Sequence, residues 1–236
     1  MKAGDRVEDA PRFIVLNMSC PMSVMQFYLV YQGELVATGN KPRPGDVCKL
    51  RDALHPQLAY LWQNHIALQR LRNSAQVPAE LGHHFADLDN PPDYESGPRP
   101  LPQGWIDLCE PIRKDGSTYI PLVRKSLALM CHLDILFLRQ EKPGELVLQG
   151  GELDNRIKTL FDALRIPNAE VARKHPQMQD PTYCLLEEDT LISGFEVSTG
   201  QLLFPQTQKP NEVHLVIEVE IRVLRLGSWN ICLLSD

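Results

Sequence analysis

Residues 213–225 alternate apolar and polar side chains more strictly than any other stretch of the chain. Successive residues of a strand point to opposite faces, so Val213, Leu215, Ile217, Val219, Ile221 and Val223 share one side. Glu218, Glu220 and Arg222 then share the other. A strand with one wholly apolar face needs neighbours in a sheet and a second layer to cover that face. Whatever else the chain contains must supply both.

The rest of the chain offers the materials. Residues 24–31 are rich in β-formers and predict a strand. A loop punctuated by proline and glycine follows at 39–46. From about Val47 to Arg72, Leu50, Leu54, Leu58, Leu61, His65 and Leu68 recur at helical spacing, and Pro56 predicts a kink or a division into two helices. Residues 117–124 predict an edge strand, with Pro121 limiting its pairing. Residues 129–138 predict a strong strand, 154–165 a helix and 193–199 a short strand. The mixture predicts an α+β domain.

Residues 76–111 differ in composition. Pro91, Pro92, Pro98, Pro100 and Pro102 stand among Asp87, Asp89, Asp93 and Glu95. We read a single domain over 1–236, with this Pro-rich acidic insertion at about 76–111 and a long connection at 166–186. With 236 residues, of which 43% are hydrophobic, a sizeable core is available. The six cysteines include no Cys-x-x-Cys pair, which argues against a zinc site of that type or a thioredoxin-like motif. Reduced, mostly buried thiols are expected. His83 and His84 are adjacent and lack zinc-ligand spacing. Trp62 and Trp105 read as core before they read as base-stacking platforms. The N-terminus lacks the apolar stretch of a signal peptide, and no apolar run reaches membrane-spanning length. A soluble, cytoplasmic protein with no membrane partner is expected.

Chemistry concentrates at 150–165, Gly-Gly-Glu-Leu-Asp-Asn-Arg-Ile-Lys-Thr-Leu-Phe-Asp-Ala-Leu-Arg. As a helix, it buries Ile157, Leu160, Phe161 and Leu164 at i, i+3, i+4 and i+7. Asp154 or Asn155 is a natural N-cap. Asp154, Lys158 and Asp162 make a polar stripe beside the buried one. Glu152 and Asp154 alternate at what reads as the end of an extended segment, which would let both carboxylates point one way. Gly150 and Gly151 allow close backbone approach there. Two convergent carboxylates repel unless a cation separates them, and oxygen ligands suit Mg²⁺ or Mn²⁺. A downstream acidic run, Glu187-Glu188-Asp189, is a source of a third carboxylate.

These residues resemble the RusA family of Holliday junction resolvases. That family carries Asp-x-Asp-Asn-x-x-Lys-x-x-x-Asp-Ala-Leu and, further on, an acidic pair. Here the match is Glu152, Asp154, Asn155, Lys158, Asp162, Ala163 and Leu164, with Glu188 and Asp189 as the pair. Glu152 stands where the family has aspartate. The resemblance implies a mixed sheet with helices packed on one side. It implies Mg²⁺ or Mn²⁺ held by Glu152, Asp154 and Asp189, with Lys158 and Asp154 in the catalytic machinery and Asn155, Asp162 and Glu188 in support. It further implies an endonuclease that hydrolyses phosphodiesters in branched DNA as a homodimer.

The net charge of −6 is unusual for a DNA-binding protein, so binding would depend on where basic residues cluster. Lys41, Arg43, Lys49, Arg51, Arg113, Lys114, Arg124 and Lys125 are the candidate backbone contacts. The rival readings are a catalytically silent relative, serving as a nucleic-acid-binding or protein-interaction module, and an unrelated α+β protein carrying the motif by chance.

Overall fold

In the computed structural model, residues 15–35, 44–79, 103–140, 152–168, 171–172, 180–203 and 211–234 are described. The alternating stretch becomes the inner strand on which the main sheet is assembled. This strand, β9 (Glu212–Gly227), pairs antiparallel with the long N-terminal strand β1 (Val15–Glu34) on one side. On its other side it pairs antiparallel with β6 (Leu129–Arg139). A parallel edge strand, β8 (Ile192–Gln201), completes the order β1-β9-β6-β8. The architecture is α+β, as the mixed periodicities predict.

The six alternating residues named above are all at most 1% exposed. Cys131, Leu133, Ile135 and Phe137 of β6 join them on the same face, as do Met25, Leu29 and Tyr31 of β1. Leu50, Leu54, Leu58 and Trp62 of α1 (Pro44–Asn64) belong to the same continuous core. So do Leu68 and Leu71 of α2 (Ile66–Ser74) and Ile157 and Leu160 of α3 (Glu152–Leu164). Three helices thus supply the apolar surface that dries one side of the sheet, while the reverse side keeps its polar residues. Trp62 is core, 1% exposed, with the Arg72 guanidinium 5.0 Å from its ring centre.

Several local expectations change. The expected division into two helices is present, but it falls at His65; α1 runs through Pro56. Pro56 lies on the exposed side of that helix. The ends of the 76–111 stretch are not merely loop. β2 (Gln76–Pro78) pairs antiparallel with β3 (Trp105–Asp107), and Val77 and Leu108 are fully buried. The proline cluster between them lies outside the described residues, as do His83 and His84.

β5 (Ser117–Val123) is not an edge strand. It lies between β4 (Ile112–Lys114) and β7 (Thr182–Leu186) in a second, three-stranded sheet. β4 pairs only with residues 117–119, so Pro121 falls where one flank of β5 is unpaired. The far end of the 166–186 connection is therefore strand β7, not loop.

The expectation of reduced thiols fits the structure. Cys48, Cys109, Cys131 and Cys184 are not joined in disulfides, and burial pushes the thiols of Cys109, Cys131 and Cys184 up to about 12. Among the described residues no helix is long and apolar enough to cross a membrane.

The one-sided burial of the sheet gives a stability test. Ile217→Ala removes a side chain with no exposure and is expected to cost about 2–5 kcal/mol in urea unfolding. Val30→Ala, half exposed on the reverse face, is expected to change stability by less than about 0.5 kcal/mol. Equal losses at both positions would contradict a helix layer on one side only.

Candidate functional site

Helix α3 carries the motif. Ile157, Leu160, Ala163 and Leu164 are buried against the core, and Leu153 and Phe161 pack at its margin. The helix begins at Glu152, two or three residues ahead of the expected cap, so Asp154 and Asn155 lie within the first turn and neither is an N-cap. Residues two apart on a helix do not share a face. The extended geometry invoked for convergence of Glu152 with Asp154 is therefore absent. Both acids do stand at the positive end of the helix dipole, where negative charge is favoured.

Asp154 and Lys158 are exposed and one turn apart. Asn155 is half-buried, and its backbone carbonyl accepts from the Thr159 hydroxyl at 2.8 Å. Arg156, inside the same helix, is 1% exposed and donates to the Asn211 side chain at 3.2 Å. It ties α3 to the start of β9.

The acidic run leaves the end of β7 and meets two different neighbours. Glu187 accepts from the Lys125 backbone amide at 3.0 Å. Glu188 pairs with the Lys125 ammonium at 2.9 Å and accepts from the Thr190 hydroxyl. The Thr190 hydrogen bond, and after it Lys125, holds the Glu188 carboxyl below the usual glutamate range, against the opposing effect of partial burial. Asp189 turns the other way. Its carboxylate lies 3.8 Å from Arg165 Nε, and the same guanidinium holds Asp162 through two hydrogen bonds.

Arg165 therefore gathers Asp162 and Asp189 at the C-terminal end of α3. Asp154 sits eight residues earlier, about 12 Å along the axis. The structure brings Asp189 to Asp162 and leaves Asp154 near the other end of the same helix, with Lys158 between them.

The basic candidates divide by burial. Arg51 is 1% exposed and donates to the backbone carbonyls of Asp162 at 2.7 Å and Arg165 at 3.3 Å, closing the C-terminus of α3. Arg124 is 3% exposed and donates to the Glu110 carbonyl at 2.8 Å. A phosphate contact needs a reachable head group, so these two serve the fold and leave the candidate interface. Lys125 is committed to the acidic run. Lys49 is exposed and lies 3.8 Å from Asp46. Arg113 and Lys114 are exposed on β4. Lys41 and Arg43 lie outside the described residues.

Sequence reasoning placed Glu218 on the polar face of its strand but missed the row that it joins across the main sheet. There the register places Tyr28, Glu218, Asp134 and Glu196 in one row across all four strands. Three carboxylates stand directly opposite one another, an arrangement that destabilises a sheet unless something offsets it. Part of the net negative charge sits here and not only in the Pro-rich insertion. The signal was faint in the sequence: Asp134 and Glu196 are single acids in strands, and only the pairing of β6 with β8 brings them together.

Comparison with family models, with curated proteins and with solved structures finds no match for this chain.

The contacts of Glu188 predict a pH effect. Its folded value lies below the ordinary 4.5, so its contribution to stability is fully present above that value and is lost as pH falls through the lower folded one. Glu188→Gln is expected to lower the melting temperature at pH 7, with the gap to wild type closing as the pH drops below 4.5. A gap that persists in acid would remove the charge-based explanation.

Proposed function

We propose that this chain is a metal-dependent endonuclease that hydrolyses phosphodiesters in branched DNA, in the manner of the RusA family. The observation that carries the reading is an accessible carboxylate, Asp154, in the first turn of α3, followed one turn later on the same helix by an accessible ammonium, Lys158. The motif residues that accompany them at 152–164, and the acids at 187–189, support it. The resemblance assigns Mg²⁺ or Mn²⁺ to Glu152, Asp154 and Asp189; as placed they do not converge on one ion, and holding it would require the acidic turn to bring Asp189 toward the start of α3. When bound, the ion polarises a phosphoryl oxygen and lowers the pKa of its water. Lys158 then stabilises negative charge developing on the phosphate. Asp162 and Asn155 support the helix, and Glu188 anchors the acidic turn. The reading requires Asp189 to leave Arg165 and to move along α3 toward Asp154.

DNA has to approach from the helix side, because the reverse face of the main sheet is acidic and repels phosphate. Lys49, Arg113 and Lys114 are the exposed cations retained as backbone contacts. The proposal extends to a homodimer, which would present two sites to a four-way junction.

A second reading, that α3 carries the motif by chance in an unrelated α+β protein or in a catalytically silent nucleic-acid-binding or protein-interaction module, is favoured by one observation. Arg165 already occupies Asp189 and keeps it at the end of α3 away from Asp154.

Cleavage of a synthetic junction separates the two. The nuclease reading expects cutting in Mg²⁺ or Mn²⁺. Asp154→Asn should abolish it without moving the melting temperature, and Lys158→Met should slow it by about 10²-fold or more. Wild-type protein that binds a junction, cuts neither branched, duplex nor single-stranded DNA, and gains no thermal stability from Mn²⁺ would leave the silent module standing.

A further inference from the structure

The reverse face of the main sheet holds the carboxylate row Glu218, Asp134 and Glu196, and its members are not equivalent. Glu218 is taken up on both oxygens, by the Gln26 amide and by the Tyr28 hydroxyl at 3.1 Å. In the next row Glu220 is held by Arg222 through a two-pronged contact. Asp134 and Glu196 receive neither kind of help. The imidazole beside them is His132, whose Nε2 lies 3.5 Å from Asp134 Oδ1 and whose cross-strand neighbour on β9 is Glu220.

The position of the imidazole is built into the register. His132 stands opposite Gly194 on the parallel edge strand. A Cβ at residue 194 would come within 3.0 Å of His132 Nδ1 and 3.3 Å of Cε1. The glycine therefore lets the ring lie against the β8 backbone, on the side where Glu196 stands two residues further along. One ligand-capable atom from each of His132, Asp134 and Glu196 lies within 4.8 Å of the others.

We propose that His132, Asp134 and Glu196 form a binding site for a divalent transition-metal ion, with Zn²⁺ as the best-matched case. An imidazole with two carboxylates is a ligand set that zinc accepts in tetrahedral geometry, with water at the remaining position. Ligands about 2.0–2.2 Å from zinc stand roughly 3.3–3.6 Å apart. The His132–Asp134 separation already has that length. Glu196 is exposed, and a small side-chain rotation closes the remaining gap. A hard, oxygen-seeking ion such as Mg²⁺ gains less from the imidazole nitrogen. The site links β6 to the edge strand β8 and offsets repulsion within the row. It lies on the face of the sheet away from α3, so it is separate from the proposed nuclease centre and does not depend on it.

The test uses the full chain in an Asp154→Asn background, which weakens ion binding at the α3 motif. Zinc bound per chain is measured by equilibrium dialysis and by competition with a chelating dye. The expected result is a single zinc ion per chain and a rise in melting temperature with zinc. Adding His132→Gln, or separately Glu196→Gln, should weaken binding by at least about tenfold. Zinc should also move the nitrogen-15 resonances of the His132 ring. Glu196 is exposed on an edge strand, so its variant keeps the test valid if the histidine variant folds poorly. The proposal is overturned if the Asp154→Asn protein binds no zinc, or if a folded Glu196→Gln variant binds it as tightly as its parent. Cleavage assays do not enter these outcomes, so loss of the nuclease reading would leave this one intact, and the reverse.

Discussion

The double pairing of β9 is the constraint on which the rest of the molecule depends. It exchanges hydrogen bonds with β1 on one edge and β6 on the other, so it carries two ladders at once. Its inner face is apolar at every position from Val213 to Val223 and is completely dry. Shifting the register by one residue would turn all six of those side chains toward solvent and bring Glu218 and Glu220 into the core. The register is therefore fixed by burial, and with it the row in which Tyr28, Glu218, Asp134 and Glu196 face one another.

A second dependence runs through Arg51. Its guanidinium is buried and closes the C-terminus of α3 by donating to two carbonyls, the groups a helix end leaves without partners. The neighbouring β7 strand reaches the same place: Ile166 donates to the Leu186 carbonyl at 3.0 Å. α1, the end of α3 and the end of β7 are joined there. That junction determines where Arg165 emerges and hence which acids it collects. The position of Asp189 follows from a buried cation on a different helix.

The reverse face of the sheet shows how charge can be legible in composition and illegible in place. A net charge of −6 says that acids exceed bases, but not that three of them line up across adjacent strands. The helix side and the reverse side of one sheet consequently present opposite problems to a polyanion. One offers Lys158 and Arg165, and the other a carboxylate row with a single imidazole beside it.

Periodicity made the strands at 24–31, 129–138 and 213–225 readable, because a half-buried strand must alternate and a helix must repeat near every fourth residue. The buried stripe of α3 was readable for the same reason, as was the nearness in sequence of Asp154 and Lys158. The break at His65, the inner position of β5 and the burial of Arg51 and Arg124 were not. Each depends on what packs alongside, and a charged residue in a helix or loop reads the same whether its head reaches water or a carbonyl. The amino-acid sequence alone determined which faces are apolar and which residues can carry chemistry. Only the tertiary structure decided which of those residues meet. Asp189 joins Asp162 through Arg165, and Glu196 joins His132 and Asp134 across a parallel register, because such meetings are set by strand pairing and helix docking between segments far apart in the chain.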